Sequence, residues 1–157
     1  MQKITPYLWF DTQAEEAVNF YISLFKNSKV LNIARYGEAG PRPAGSIMTI
    51  SFQLDGQEFV ALNGGPEFKF TEAISFCVDC ATQEEVDRLW AKLTEGGEEV
   101  QCGWLKDKYG LSWQIVPAGL GEMLSSPDAK KAARAMQAML AMKKIDLAKI
   151  KQAYDQG

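Results

Sequence analysis

The sequence predicts an α+β fold: two tandem βαβββ modules forming a curled mixed sheet around a cleft, followed by C-terminal helices. Three observations carry this. Two amphipathic segments headed by acidic pairs, Glu15-Glu16 and Glu84-Glu85, recur about 69 residues apart. Each is preceded by one short strand-like run and followed by three. From Pro127 onward the composition changes to Ala, Lys and Met, all good helix formers.

The first run, Ile4 to Phe10, reads as a strand. The segment after it carries Ala14, Ala17, Phe20, Tyr21 and Leu24, the spacing of one helical stripe. Its acidic pair sits in the first turn, where the helix dipole favours negative charge, and Asp11 or Thr12 is the expected N-cap. Asn27 closes it. Strand-like runs follow at Val30 to Tyr36, Ile47 to Leu54 and Glu58 to Asn63, with Asp55-Gly56 as a hairpin turn between the last two. The same order repeats. Ala73 to Asp79 is a strand, and Thr82 caps a helix with the stripe Val86, Leu89, Trp90 and Leu93. Gly96-Gly97 ends that helix, and Glu99 to Gln101, Trp104 to Lys106 and Leu111 to Val116 complete the second set. Module boundaries are expected at 1–66 and 67–118, with a helical tail over 119–157. In the tail, Ala129 to Met142 and Leu147 to Tyr154 read as helices, the second capped by Asp146, packing across the chain's own domain or a sister subunit. The Gly- and Pro-rich stretch Ala39 to Gly45 is expected to lie as a loop over the cleft mouth.

The chain has 157 residues, enough to bury a core without disulfides or metals. Lys and Arg number 17 against 20 Asp and Glu, and the signs are mixed along the chain. A nucleic-acid binder would show a basic stripe. No apolar run approaches membrane-spanning length. With no signal-peptide pattern and an odd number of cysteines, three, the expected address is the cytoplasm.

The motifs Pro6-Tyr-Leu-Trp-Phe-Asp11, Phe20-Tyr21, Phe76-Cys-Val-Asp-Cys80 and Trp104 to Pro117 resemble the vicinal-oxygen-chelate superfamily of glyoxalases, dioxygenases and bleomycin-resistance proteins. Within it, the PhnB-like branch, often labelled demethylubiquinone methyltransferase-like, is the nearer match, over about residues 3 to 117. The resemblance implies a cleft between two modules, a homodimer, and often a divalent metal. Carried onto this chain, the four ligand positions fall near Pro6, Ala61, Ala73 and Gln114. Only Gln114 can coordinate, and the chain contains no histidine. No metal and no cofactor are therefore expected. Nor does a Gly-rich loop open a helix after a strand, as a doubly wound cofactor-binding fold requires.

Strand alternation turns Met48, Ile50, Phe52 and Leu54 toward the helix and leaves Thr49, Ser51 and Gln53 on the cleft side. The ligand positions implied by the resemblance set the parity of the other strands. They add Leu8, Phe59 and Asn63 in the first module, and Ser75, Cys77, Ser112 and Gln114 in the second. Trp104 is the better pocket tryptophan, since Trp113 points by parity to the helix layer, and Cys102 adjoins the motif. Hydroxyls, amides and aromatic surface with few fixed charges suit a neutral small organic molecule. Cys77 and Cys80, three apart on a strand, point to opposite faces and make no redox pair. Three readings stay open. One is a metal-free small-molecule-binding protein. Another is an enzyme on the same scaffold, lyase-, isomerase- or dioxygenase-like or a methyltransferase as the family name says, acting on a small oxygenated substrate through Tyr109, Asp107, Cys102 or an atypically held metal. The last is a structural dimer with a vestigial cleft.

Overall fold

The computed structural model describes residues 2–156. The chain divides into two compact units, one reaching to Phe70 and the other starting at Thr71.

The first unit runs β1 (Tyr7–Phe10), α1 (Ala14–Ile22), β2 (Lys29–Arg35), β3 (Ile47–Leu54) and β4 (Gln57–Asn63). Its sheet has the order β1-β4-β3-β2, with β1 parallel to β4 and the other pairs antiparallel. Asp55 and Gly56 both take positive φ, 48° and 82°, the demand of a tight two-residue hairpin. That turn sets Leu54 opposite Gln57 and Phe52 opposite Phe59. Helix α1 buries Ala14, Ala17, Val18 and Tyr21 against the face carrying Ile50, Phe52 and Ala61. Its start differs from expectation. Gln13 is the N-cap and offers no side-chain bond. Asn63, from the end of β4, supplies the missing acceptor instead: its Oδ1 takes the Ala14 N–H at 2.9 Å.

The second unit repeats the order with β5 (Ser75–Cys80), α2 (Gln83–Thr94), β6 (Glu98–Glu99), β7 (Trp104–Lys106) and β8 (Ser112–Pro117). Its sheet order, β5-β8-β7-β6, is the first unit's order over again. The Thr82 hydroxyl accepts from the Glu85 N–H at 3.2 Å, the expected cap. Val86, Leu89, Trp90 and Leu93 form the buried stripe of α2. Gly96, at φ 73°, turns the chain out of the helix, and Gly97 is required by contact, because a Cβ there would lie 2.2 Å from the Lys106 carbonyl oxygen.

Three helices follow: α3 (Leu120–Leu124), α4 (Ala129–Leu140) and α5 (Leu147–Asp155). They pack within the second unit around Leu120, Ala135, Ile145 and Ile150. Asp128 and Asp146 cap α4 and α5. Among the described residues no helix is long and apolar enough to cross a membrane.

Candidate functional site

Pairing among β5, β8 and β7 sets side chains of the second unit in rungs. Ser75, Ser112 and Lys106 form one rung, and Cys77, Gln114 and Trp104 another. The rung between them, Phe76, Trp113 and Leu105, lies under α2, with Trp113 and Leu105 almost fully buried. Alternation therefore turns the two polar rungs to the face away from the helix.

On that face Gln114 Nε2 donates to Ser75 Oγ at 2.9 Å. The bond orients the amide and leaves its carbonyl oxygen, and the Ser75 hydroxyl proton, for another partner. Trp104, half-buried, stands opposite Gln114 on the neighbouring strand. Ser112 is 1% exposed and its Oγ has no hydrogen-bond partner. An unmet buried hydroxyl costs roughly 1–3 kcal/mol, so its retention calls for an explanation. In the first of these rungs Lys106 pairs with Glu72, and Glu98 of the edge strand β6 is its register partner. Their hydrogen bond holds the Glu72 carboxyl below its usual range and the Lys106 ammonium above its own. Both groups are solvated, so the pair adds little stability. Its effect is to neutralise the cation beside the polar rungs. Burial, then the Asp79 carboxylate, pushes the Cys77 thiol up. Cys80, on the opposite face, is pushed up to about 12, by burial first and then by Glu85 and Asp79. Cys102 lies outside the rungs, in a left-handed turn (φ 59°) ahead of β7.

The first unit corrects part of the expected set. Thr49 and Ser51 do turn away from α1, in rungs with Leu62 and Val60. Leu8, Phe59 and Asn63 do not. Leu8 pairs with Ala61 and is 5% exposed, and Phe59 stacks on Phe52 at 5.5 Å between ring centroids. Asn63 is consumed by the cap on Ala14 and by a bond from its Nδ2 to the Ile47 carbonyl at 3.2 Å. The reason is register: an offset of one residue sends every side chain of a strand to the other face. The residues that share the Thr49 and Ser51 face are Tyr7 and Trp9, through the rungs Tyr7–Val60–Ser51 and Trp9–Leu62–Thr49. Trp9 is fixed by its Nε1–H bond to the Gly65 carbonyl at 2.9 Å and by the edge of Phe68. Gly64 lacks a side chain because the Trp9 indole fills that space.

Asp107, considered above as an acid–base group, is structural. It is 3% exposed and accepts from the N–H groups of Tyr109 (2.8 Å) and Leu111 (3.1 Å) and from Trp113 Nε1 (3.0 Å). A transition-metal centre needs imidazole, thiolate or carboxylate donors. The chain has no histidine, and among the described residues no three of Cys, Asp and Glu converge. Serine hydroxyls, an amide and a thiol held protonated do not fit such an ion.

Residues 2–116 match the family described as 3-demethylubiquinone-9 3-methyltransferase. A solved PhnB protein of Bacillus cereus, named for the same enzyme, is 43% identical, with a TM-score of 0.69 over 74% of this chain and 100% of that one. The protein PA1353 of Pseudomonas aeruginosa is 21% identical (TM-score 0.62; 74% and 98% covered). The fosfomycin resistance protein FosX of Listeria monocytogenes is 16% identical (TM-score 0.52; 79% and 97% covered). The last two share the fold. No curated protein matches the chain. With the duplicated βαβββ topology and the match across both modules, the chain belongs to the PhnB-like family described as 3-demethylubiquinone-9 3-methyltransferase, within the vicinal-oxygen-chelate superfamily.

Proposed function

We propose that this chain is a metal-free binding protein for a small, neutral, planar organic molecule carrying hydrogen-bonding groups. The observation that supports this best is the Gln114 amide, oriented by Ser75 and left with unused capacity beside the Trp104 indole. An aromatic surface flanking a few fixed polar groups is the usual composition of a small-molecule site. The Lys106 cation is offset by Glu72 and stands in register with Glu98 on β6, which disfavours anionic ligands.

Benzamide, a planar neutral amide, serves as the probe in calorimetric titration of the whole chain. Gln114→Ala is expected to weaken binding about tenfold, equivalent to about 1.4 kcal/mol. Addition of a chelator is expected to leave the wild-type affinity unchanged. Equal affinity in Gln114→Ala, or loss of binding with chelator, would refute the reading.

A further inference from the structure

The C-terminal helices lie beyond the residues that match the family, 2–116. The Bacillus cereus protein is covered in full by 74% of this chain. The appended segment is nonetheless tied to the strands that carry Trp104 and Gln114. Cys102 and Gly103 take consecutive left-handed conformations, φ 59° and 84°. Their two N–H groups donate to the carbonyls of Met142 and Lys143, each at 2.8 Å. For Cys102 this conformation is unfavourable, and the bonds to the tail offset it.

The tail is held in turn by α2. Gln83 donates through Nε2 to the Ile145 carbonyl at 2.8 Å and accepts at Oε1 from the Leu147 N–H at 2.9 Å. Lys144 reaches Asp87 at 2.8 Å. Between these contacts Ile145 is 1% exposed and sits against Gly103, where an added Cβ would come within 2.7 Å of its Cδ1. On its other side the turn runs into the pairing of β7 with β8. The Gly103 carbonyl accepts from the Ile115 N–H at 2.8 Å. Ile115 follows Gln114, and Trp104, which follows Gly103, is the register partner of Gln114.

We propose that residues 142–147 form a positioning clamp. Through Gln83 and Ile145 it holds the Cys102–Gly103 turn left-handed and so sets Trp104 beside Gln114. Gln83 and Ile145 are positioning residues, far along the chain from the side chains they place. Any consequence for ligand binding rests on the function proposed above; the clamp itself does not.

The test uses the full chain labelled with 5-fluorotryptophan, whose four tryptophans give four fluorine resonances. Trp104→Phe assigns the one of interest, and Trp9, in the first unit, is the reference. In Gln83→Ala and Ile145→Ala the Trp104 resonance is expected to shift or broaden, with a return toward wild type in Ile145→Val. Amide exchange at Cys102 and Gly103 is expected to rise at least tenfold. Faster exchange at Ile145 and Leu147 with an unmoved Trp104 resonance would overturn the clamp. If Ile145→Ala unfolds the unit, Gln83→Ala decides alone, since it removes the hydrogen bonds to Ile145, Leu147 and Asp87 and no large apolar side chain. Benzamide titration of Gln83→Ala separates the two claims. A moved resonance with unchanged affinity upholds the clamp and counts against the binding face. An unmoved resonance overturns the clamp whatever the affinity.

Discussion

Single side chains in this protein divide by which sheet face they take, and one turn shows how that was legible. The residue pair Asp55-Gly56 announces a two-residue hairpin, and counting outward from it sets Phe59 opposite Phe52. That count already places Phe59 and Asn63 with the helix-facing set. The equivalence drawn from the superfamily's ligand positions pointed the other way, and the local turn chemistry decides. In the second unit no such conflict exists, because Gln114, Ser75 and Cys77 share one parity by either route. What no pattern could reveal was the role of Asp107, since an Asp before Lys-Tyr-Gly reads as an ordinary turn residue. In the structure it gathers three donors. Asp107→Ala should cost roughly 2–4 kcal/mol in urea denaturation, because buried donors lose their acceptor. Asp107→Asn, which keeps one carbonyl acceptor, should cost less, and equal costs would show that the carboxylate charge matters more than its bonds. The thiols give a second check. Burial raises both Cys77 and Cys80, with Cys80 at about 12. A raised thiol holds less thiolate at neutral pH, and its labelling accelerates only as pH climbs toward its pKa. Iodoacetamide followed by peptide mass analysis should modify exposed Cys77 ahead of buried Cys80. Prior labelling of Cys80 would contradict the assigned faces.

At the scale of elements, periodicity found both module helices and the strands β1 to β5, β7 and β8, because apolar stripes and turn residues are written locally; β6, expected at Glu99 to Gln101, is Glu98–Glu99 and shares one residue with that run. The N-terminus of α1 was not written locally. Its acceptor comes from Asn63, 49 residues from Ala14, where neither Asp11 nor Thr12 caps the helix. Asn63→Ala should therefore destabilise by roughly 1–3 kcal/mol, as expected for a buried N–H left unmet. Asn63→Asp, which keeps an acceptor near a helix N-terminus, should recover much of this. Circular dichroism followed through urea denaturation measures both, and a neutral Asn63→Ala would dismiss the long-range cap. Helix α3 escaped notice because five residues, Leu120–Leu124, are too few to display a stripe. The tail helices were legible from composition and from Asp146, but their docking was not. It runs partly through backbone carbonyls at Met142 and Lys143, which carry no side-chain signature, and partly through Gln83 and Asp87, which read as ordinary polar residues of a helix.

For the molecule as a whole, the repeated strand order in the two units accounts for the duplicated pattern in the chain. Each unit covers one sheet face with its own helix. In the second unit the other face carries an oriented amide, two serines and an indole, and among the described residues no three Cys, Asp or Glu side chains converge to hold a transition metal. Binding without a metal is thus the central claim. It is tested most directly by mapping benzamide onto the nitrogen-15-labelled full chain by NMR. The Gln114 side-chain amide, the Trp104 indole N–H and the backbone amides of Ser75 and Ser112 are predicted to shift together in metal-free buffer. Shifts confined to other residues, or arising only after a divalent metal is added, would contradict the claim.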